Sequence, residues 1–163
     1  MKECSNTVFK PKTVLLASRN HLCVNEELNE KKGTDLSTAC SNARKAKPPK
    51  CGYFRGSGSE MPWEPIDIEE IHKHAKIHSY CPYYTSKERV VEADLVLMPY
   101  NYLIDAKLRG KIDLENAIII VDEAHNIAPC CEEVSSFELK SSTLQKCLFE
   151  LQELQNIHDL QET

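Results

Sequence analysis

At 163 residues, with 41% apolar and 28% charged residues, the chain has the make-up of one ordinary globular domain or part of a larger one. No apolar run approaches the roughly 18 residues of a membrane span. Met1-Lys-Glu-Cys-Ser-Asn6 lacks the apolar stretch of a secretory leader, so the expectation is an intracellular chain without a membrane partner. The net charge of −5 argues against a protein that coats nucleic acid by bulk positive charge. A local basic path remains open at Arg44-Lys-Ala-Lys47 with Lys50, although a solvated loop is the plainer reading.

Residues 1–12 are polar and carry no pattern. Thr13-Val-Leu-Leu-Ala17, ended by Ser18-Arg19-Asn20, predicts a short buried strand. From Cys23 to Pro65 the character changes, with four of the five glycines, four of the eight prolines and few β-branched residues. Thr34 to Lys45 predicts a short helix, and Pro48-Pro49 and Gly52 to Gly58 predict turns and loop. This segment has too little apolar surface for a core of its own, so something other than packing should hold it. Asp67 is placed to cap a helix, with Glu70 at the capping-box position and Ile68, Ile71, Ala75 and His78 along one face. Cys81-Pro82 stops that helix, and Tyr83 to Ala93 predicts another. Asp94 to Met98, ended by Pro99, predicts a second buried strand, and Tyr102 to Leu108 a short helix closed by Gly110. Four consecutive aliphatic residues, Ile118 to Val121, then predict a third strand buried on both faces of a parallel sheet. Leu144, Leu148, Leu151, Leu154, Ile157 and Leu160 mark one face of a last helix from Ser141.

Two groups of residues carry chemistry. Asp122, Glu123 and His125 follow the Ile118 run, and in parallel sheets chemistry gathers beyond the carboxyl ends of the strands. A carboxylate pair there suits holding magnesium and orienting a water, as a nucleoside triphosphatase requires opposite its phosphate loop. A solvated strand end is the plainer alternative. The second group is Cys23, Cys40, Cys51 and Cys81, spaced Cys-x16-Cys-x10-Cys-x29-Cys among eight cysteines. In a reducing compartment these are better metal ligands than disulfide partners. Structural zinc usually takes closer pairs, whereas four thiolates from separate elements suit an iron–sulfur cluster at least as well. Buried free thiols are the remaining possibility. Cys4, Cys130, Cys131 and Cys147 are not expected to bind metal, and His72, His74 and His78 read as a solvated helix face rather than a rival site.

Taken together, Leu16-Ala-Ser-Arg-Asn-His-Leu-Cys23, Cys81-Pro-Tyr-Tyr84, Met98-Pro-Tyr-Asn-Tyr-Leu-Ile-Asp105 and Val121-Asp-Glu-Ala-His-Asn126 resemble the iron–sulfur DNA helicases of superfamily 2, the XPD type with a DEAH box. The likeness in order and spacing covers roughly residues 12–140. Met98 to Arg109 and Asp67-Ile-Glu-Glu70 look most like the regulator of telomere elongation helicase, with the Fanconi anaemia group J helicase next.

The resemblance implies an α/β fold: a partial RecA-like parallel sheet, an inserted, mainly helical and loop-rich iron–sulfur domain, and the start of a helical arch. It implies residues 1–22 in the first motor domain, 23–84 in the cluster insertion, 85–134 in the motor domain continued, and 135–163 in the arch. It further implies a 4Fe-4S cluster on Cys23, Cys40, Cys51 and Cys81, with ATP and Mg²⁺ as the other cofactors. Asp122 would hold the magnesium of Mg-ATP, Glu123 would position the attacking water, and His125 would couple nucleotide state to DNA. Single-stranded and forked DNA would be the partners, translocation would run 5′ to 3′, and the setting would be nuclear genome or telomere maintenance and repair. Arg19, Tyr83 and Tyr84, with Lys107 and Arg109, have chemistry suited to DNA contacts.

The chain departs from the family in two places. Asn25-Glu26 stands where the family commonly has His-Pro after the first ligand. No Gly-x4-Gly-Lys-[Ser/Thr] phosphate loop occurs: Gly110-Lys111 is followed by Ile112 and has Asp105 where the first glycine belongs. With the phosphate loop (Walker A) and second motor domain absent, the chain is expected to be a fragment that does not hydrolyse ATP alone. The rest of the helicase chain would be its partner. Two other readings stand beside this one: a zinc-stapled binding module, and a non-catalytic short form that binds DNA or partners.

Overall fold

The computed structural model describes residues 8–55, 60–110 and 112–161. Cys4, residues 56–59 and Lys111 lie outside them, as do the side chains of Lys107, Ile157 and Leu160. The chain divides into two compact units, Met1–Ile119 and Ile120–Thr163.

The first unit is built on two short parallel strands, β1 (Thr13–Leu15) and β2 (Leu95–Leu97), with Thr13 opposite Leu95 and Leu15 opposite Leu97. The pairing extends past both ends: Asp94 and Leu95 N–H donate to the Lys12 carbonyl, and Leu16 N–H donates to Leu97 at 2.8 Å. Parallel strands need a long crossover, and here it carries most of the unit's helices. These are α1 (Arg19–Leu22), α2 (Glu26–Asn29), α3 (Gly33–Lys45), α4 (Ile68–His78) and α5 (Pro82–Arg89). After β2 come α6 (Asn101–Ile104) and α7 (Ala106–Arg109), separated at Asp105 by an extended backbone (ψ 115°), so the single short helix expected there is two.

Local chemistry sets several of these boundaries. Asp67 and Glu70 form the expected capping box, with Asp67 Oδ1 accepting from Glu70 N–H at 2.9 Å. Ser79 ends α4 in the left-handed conformation (φ 53°), and Pro82 opens α5 at a position where its missing N–H costs nothing.

Two apolar clusters hold this unit. One gathers Ala17, Leu22, Val24, Met61, Ile71, Ala75, Tyr80 and Tyr83 between α1, α4 and α5. The other gathers Val14, Leu16 and Tyr102 with Val96 and Met98. Cys23–Pro65, expected to lack a core of its own, shares one: Val24, Leu36 and Met61 are all buried, Leu36 completely, with Val24 and Met61 packed among residues from outside the segment. The segment borrows the rest of its core from residues before and after it, which counting its own apolar residues misses.

The expected third strand does not form. Residues 117–121 carry no strand, and Ile118 and Ile120 are 91% and 88% exposed. A strand buried on both faces needs ladder partners at its edges and cover on its faces. Among the described residues the sheet has two strands, and Ile118–Val121 pairs with neither.

The second unit holds α8 (Ile127–Ser135) and the 21-residue α9 (Ser141–Gln161). Leu144, Leu148, Leu151 and Leu154 lie on α9 as the spacing predicts, and all are exposed. No described helix is long and apolar enough to cross a membrane. At the level the structure defines, the chain is a mixed helical fold around a small parallel sheet.

Tyr102 ties α6 to the end of β1 through its hydroxyl, which donates to the buried Ala17 carbonyl at 3.0 Å. Tyr102→Phe leaves that carbonyl unsatisfied and should cost about 1–3 kcal/mol of unfolding free energy, measured by urea denaturation. Unchanged stability would show that the bond contributes nothing.

Candidate functional site

The four cysteines of the unusual spacing come from four separate segments of the first unit. Cys23 closes α1, its N–H bonded to the Arg19 carbonyl at 2.9 Å. Cys40 lies within α3. Cys51 precedes a 3-10 turn, Gly52–Arg55, and its carbonyl accepts from Phe54 N–H. Cys81 is the N-cap of α5, with no hydrogen bond from its sulfur to the helix N–H groups. All four are free thiols.

Cys23 and Cys81 each lie within electrostatic reach of Cys40 and Cys51. Burial pushes the Cys81 thiol up to about 11, the α5 N–H groups work against this, and the charges of Cys51 and Cys40 add to the rise. Burial also raises Cys23, opposed by the Asn25 backbone and the Arg19 guanidinium and reinforced by Cys40 and Cys51. Burial thus favours the neutral thiol at Cys23 and Cys81, and ionising those two calls for a compensating cation. Among the described residues, no three His, Cys, Asp or Glu side chains are placed to hold one metal ion. Four thiolates around one zinc would have to approach to about 3.8 Å, given Zn–S bonds of about 2.3 Å.

Asn25 is a participant that sequence reasoning passed over, noting only its departure from the family pattern. Its Oδ1 accepts from Leu28 N–H at 3.0 Å to cap α2, and its Nδ2 donates to Cys51 Sγ at 3.7 Å. The Cys23 thiol donates to the Asn25 carbonyl at 3.8 Å. One residue thus touches two of the thiols. The sequence cue was an N-cap residue two positions after a cysteine.

Arg19, Tyr83 and Tyr84 lie beside the quartet and pack against one another. The Arg19 guanidinium stands 4.5 Å from the Tyr83 ring centre and donates to Ser37 Oγ at 3.2 Å and Tyr84 Oη at 3.4 Å. Tyr83 is buried at 8% exposure, with Lys87 Nζ donating to its hydroxyl at 2.7 Å. Tyr84 meets Phe54 edge-on at 5.2 Å and is half-buried. In this arrangement the three side chains join α1, α3 and α5.

The histidines of α4 are engaged elsewhere. His74 and His78 stack at 4.2 Å, His74 Nδ1 is 3.1 Å from Tyr80 Oη, and His72 Nε2 is 2.7 Å from the His21 carbonyl.

Asp122, Glu123 and His125 belong to the second unit, in and beside a 3-10 turn, Ala124–Asn126. Glu123 N–H donates to Asp122 Oδ1 at 3.0 Å, and His125 Nδ1 lies 3.2 Å from Glu123 Oε2. Glu123 adopts the left-handed conformation (φ 48°), which carries a strain of about 1 kcal/mol for a residue with a side chain. All three are exposed.

Residues 1–144 match the family model described as DEAD_2. The chain belongs to the DEAD_2 family. Among curated relatives of this DEAD_2 chain, a regulator of telomere elongation helicase 1 homolog of Arabidopsis thaliana is 36% identical over 94% of the chain and 16% of its own length. Regulator of telomere elongation helicase 1 of Homo sapiens is 36% identical over 85% of the chain and 12% of its own length, and that of Rattus norvegicus 35% over 84% and 11%. The chain thus spans about 11–16% of the length of these relatives. The likeness to helicases of the XPD type read from the motifs agrees with these matches.

Arg19 carries the contacts around the quartet that are simplest to remove singly. A lysine keeps the charge but cannot reach Ser37 and Tyr84 together with a planar fork. Arg19→Lys should lower the unfolding free energy in urea by about 1–2 kcal/mol. A variant as stable as the parent would show that the fork carries no weight.

Proposed function

We propose that this chain is part of an ATP-dependent DNA helicase that moves 5′ to 3′ and acts in telomere or genome maintenance in the nucleus. Within it, Cys23, Cys40, Cys51 and Cys81 hold a 4Fe-4S cluster. The family match and the names of the relatives support the helicase class. What supports the cluster is the donor set: four free thiols from four segments, with Cys23 and Cys81 each within electrostatic reach of Cys40 and Cys51. The donor set fits the group: four thiolates complete the shell of a four-iron cluster, which spans more space than a single ion. When bound, the cluster supplies four iron–thiolate bonds that cross-link α1, α3, the Gly52 turn and α5. The chain's own part is to hold the sulfurs: Asn25 through the Cys51 and Cys23 contacts, and Cys81 by its place at the N-cap of α5.

In this reading residues 1–22 and 85–134 belong to the first RecA-like motor domain, 23–84 to the cluster insertion, and 135–163 to the arch. Asp122 holds the magnesium of Mg-ATP, Glu123 positions the attacking water, and His125 links the nucleotide site to DNA. These roles require a phosphate loop, which the 163 residues do not contain. The exposed Ile118 and Ile120 are suited to a strand that gains its neighbours from elsewhere in such a motor.

Replacing Cys51 by Ser tests the ligand assignment. The variant, purified without oxygen, should lose most of its iron and melt at a lower temperature, while Cys131→Ser keeps both. Full iron content in Cys51→Ser would refute the assignment.

A further inference from the structure

Between Asp35 and Glu60 the chain contains no carboxylate, yet residues 36–59 hold Arg44, Lys45, Lys47, Lys50 and Arg55, inside a chain of net charge −5. The structure concentrates four of these cations on one turn. Ala46 N–H donates to the Asn42 carbonyl at 3.1 Å, and Lys50 N–H reaches back to the Ala43 carbonyl at 2.8 Å. The chain beyond α3 is thereby folded against the helix end. Arg44, Lys45, Lys47 and Lys50 are all exposed. Cations in the last turn of a helix complement its dipole, which accounts for Arg44 and Lys45. Lys47 and Lys50 lie beyond the helix and have no such partner in it. The ion pairs of the described residues, Lys76–Glu26, His78–Glu60, His125–Glu123 and Lys140–Glu138, leave this turn out. Beside the cations stands an aromatic pair: the Arg44 guanidinium lies 5.7 Å from the Phe54 ring centre and 5.4 Å from that of Tyr84, and both rings are half-buried.

We propose that this basic turn is a phosphate-binding path for single-stranded DNA, with Lys45, Lys47 and Lys50 each neutralising a backbone phosphate. The inference rests on the helicase reading above and deepens it by naming where the strand is held. Like charges gathered without carboxylates repel one another, and a polyanion relieves that repulsion while releasing its own counterions. The contact is to phosphates, so it fixes the strand's position without reading its bases.

The test is the salt dependence of binding of a fluorescent oligo-dT to the intact, iron-loaded chain and to the triple variant K45Q/K47Q/K50Q. For single strands, the slope of log K against log salt falls by about 0.7 per phosphate contact. The variant should therefore lose about 2 from its slope. Between about 50 and 200 mM salt the parent should weaken about twentyfold more than the variant. Iron and sulfide are measured on the same samples. An unchanged slope in the variant would overturn the inference while leaving DNA binding by the family fold intact. So would a parent that does not bind oligo-dT, and its iron content would still speak separately to the cluster. Loss of iron in step with affinity would also overturn it, because the lysines would then be serving the cluster.

Discussion

Two thiols, Cys23 and Cys81, are half-buried within electrostatic reach of Cys40 and Cys51, and the first unit sets these four cysteines on four separate segments. No long element carries them. Cys23 ends a helix of four residues, Cys81 begins one of eight, Cys51 enters a 3-10 turn, and only Cys40 lies inside a helix of ordinary length. Short elements are marginal by themselves, so their relative placement depends on what joins them. Without metal that is a modest set of contacts: Leu36 and the cluster around Ile71, the Arg19 fork, and the hydrogen bonds of Asn25. Iron–thiolate bonds would join the same segments far more strongly.

The second centre works under a different constraint. Asp122 and Glu123 sit at a left-handed turn after an aliphatic run that has no sheet to enter among the described residues. A carboxylate pair organises a nucleotide only when its strand is fixed and a phosphate loop faces it. Ile118 and Ile120 of the aliphatic run stand exposed. The chain spans about 11–16% of its relatives' length, and the sheet of a motor domain is built from strands distant in sequence.

What was legible in the sequence was whatever a few neighbouring residues decide. Asp67 and Glu70 make the capping box, Pro82 opens α5, and the strand at Leu95 ends before Pro99, all from local chemistry. What escaped was set by partners far along the chain. The Ile118 run has the composition of a buried strand, but composition does not supply a ladder. The apolar residues of Cys23–Pro65 are too few for a core alone, and Val24 and Met61 join one that Leu22, Ile71 and Tyr80 complete from outside the segment. Asn25 read as a deviation at a turn, and its contact with Cys51 appears only when residues 26 apart are brought together. Tyr83 and Tyr84 suit stacking on bases by type, while Arg19, Lys87 and Phe54 already occupy them.

The most direct test is the composition of the chain after reconstitution with iron and sulfide in the absence of oxygen. A cluster on Cys23, Cys40, Cys51 and Cys81 predicts about four irons and four sulfides per chain, with the broad visible absorbance of a four-iron centre. A folded chain that takes up a single zinc and no sulfide would contradict it.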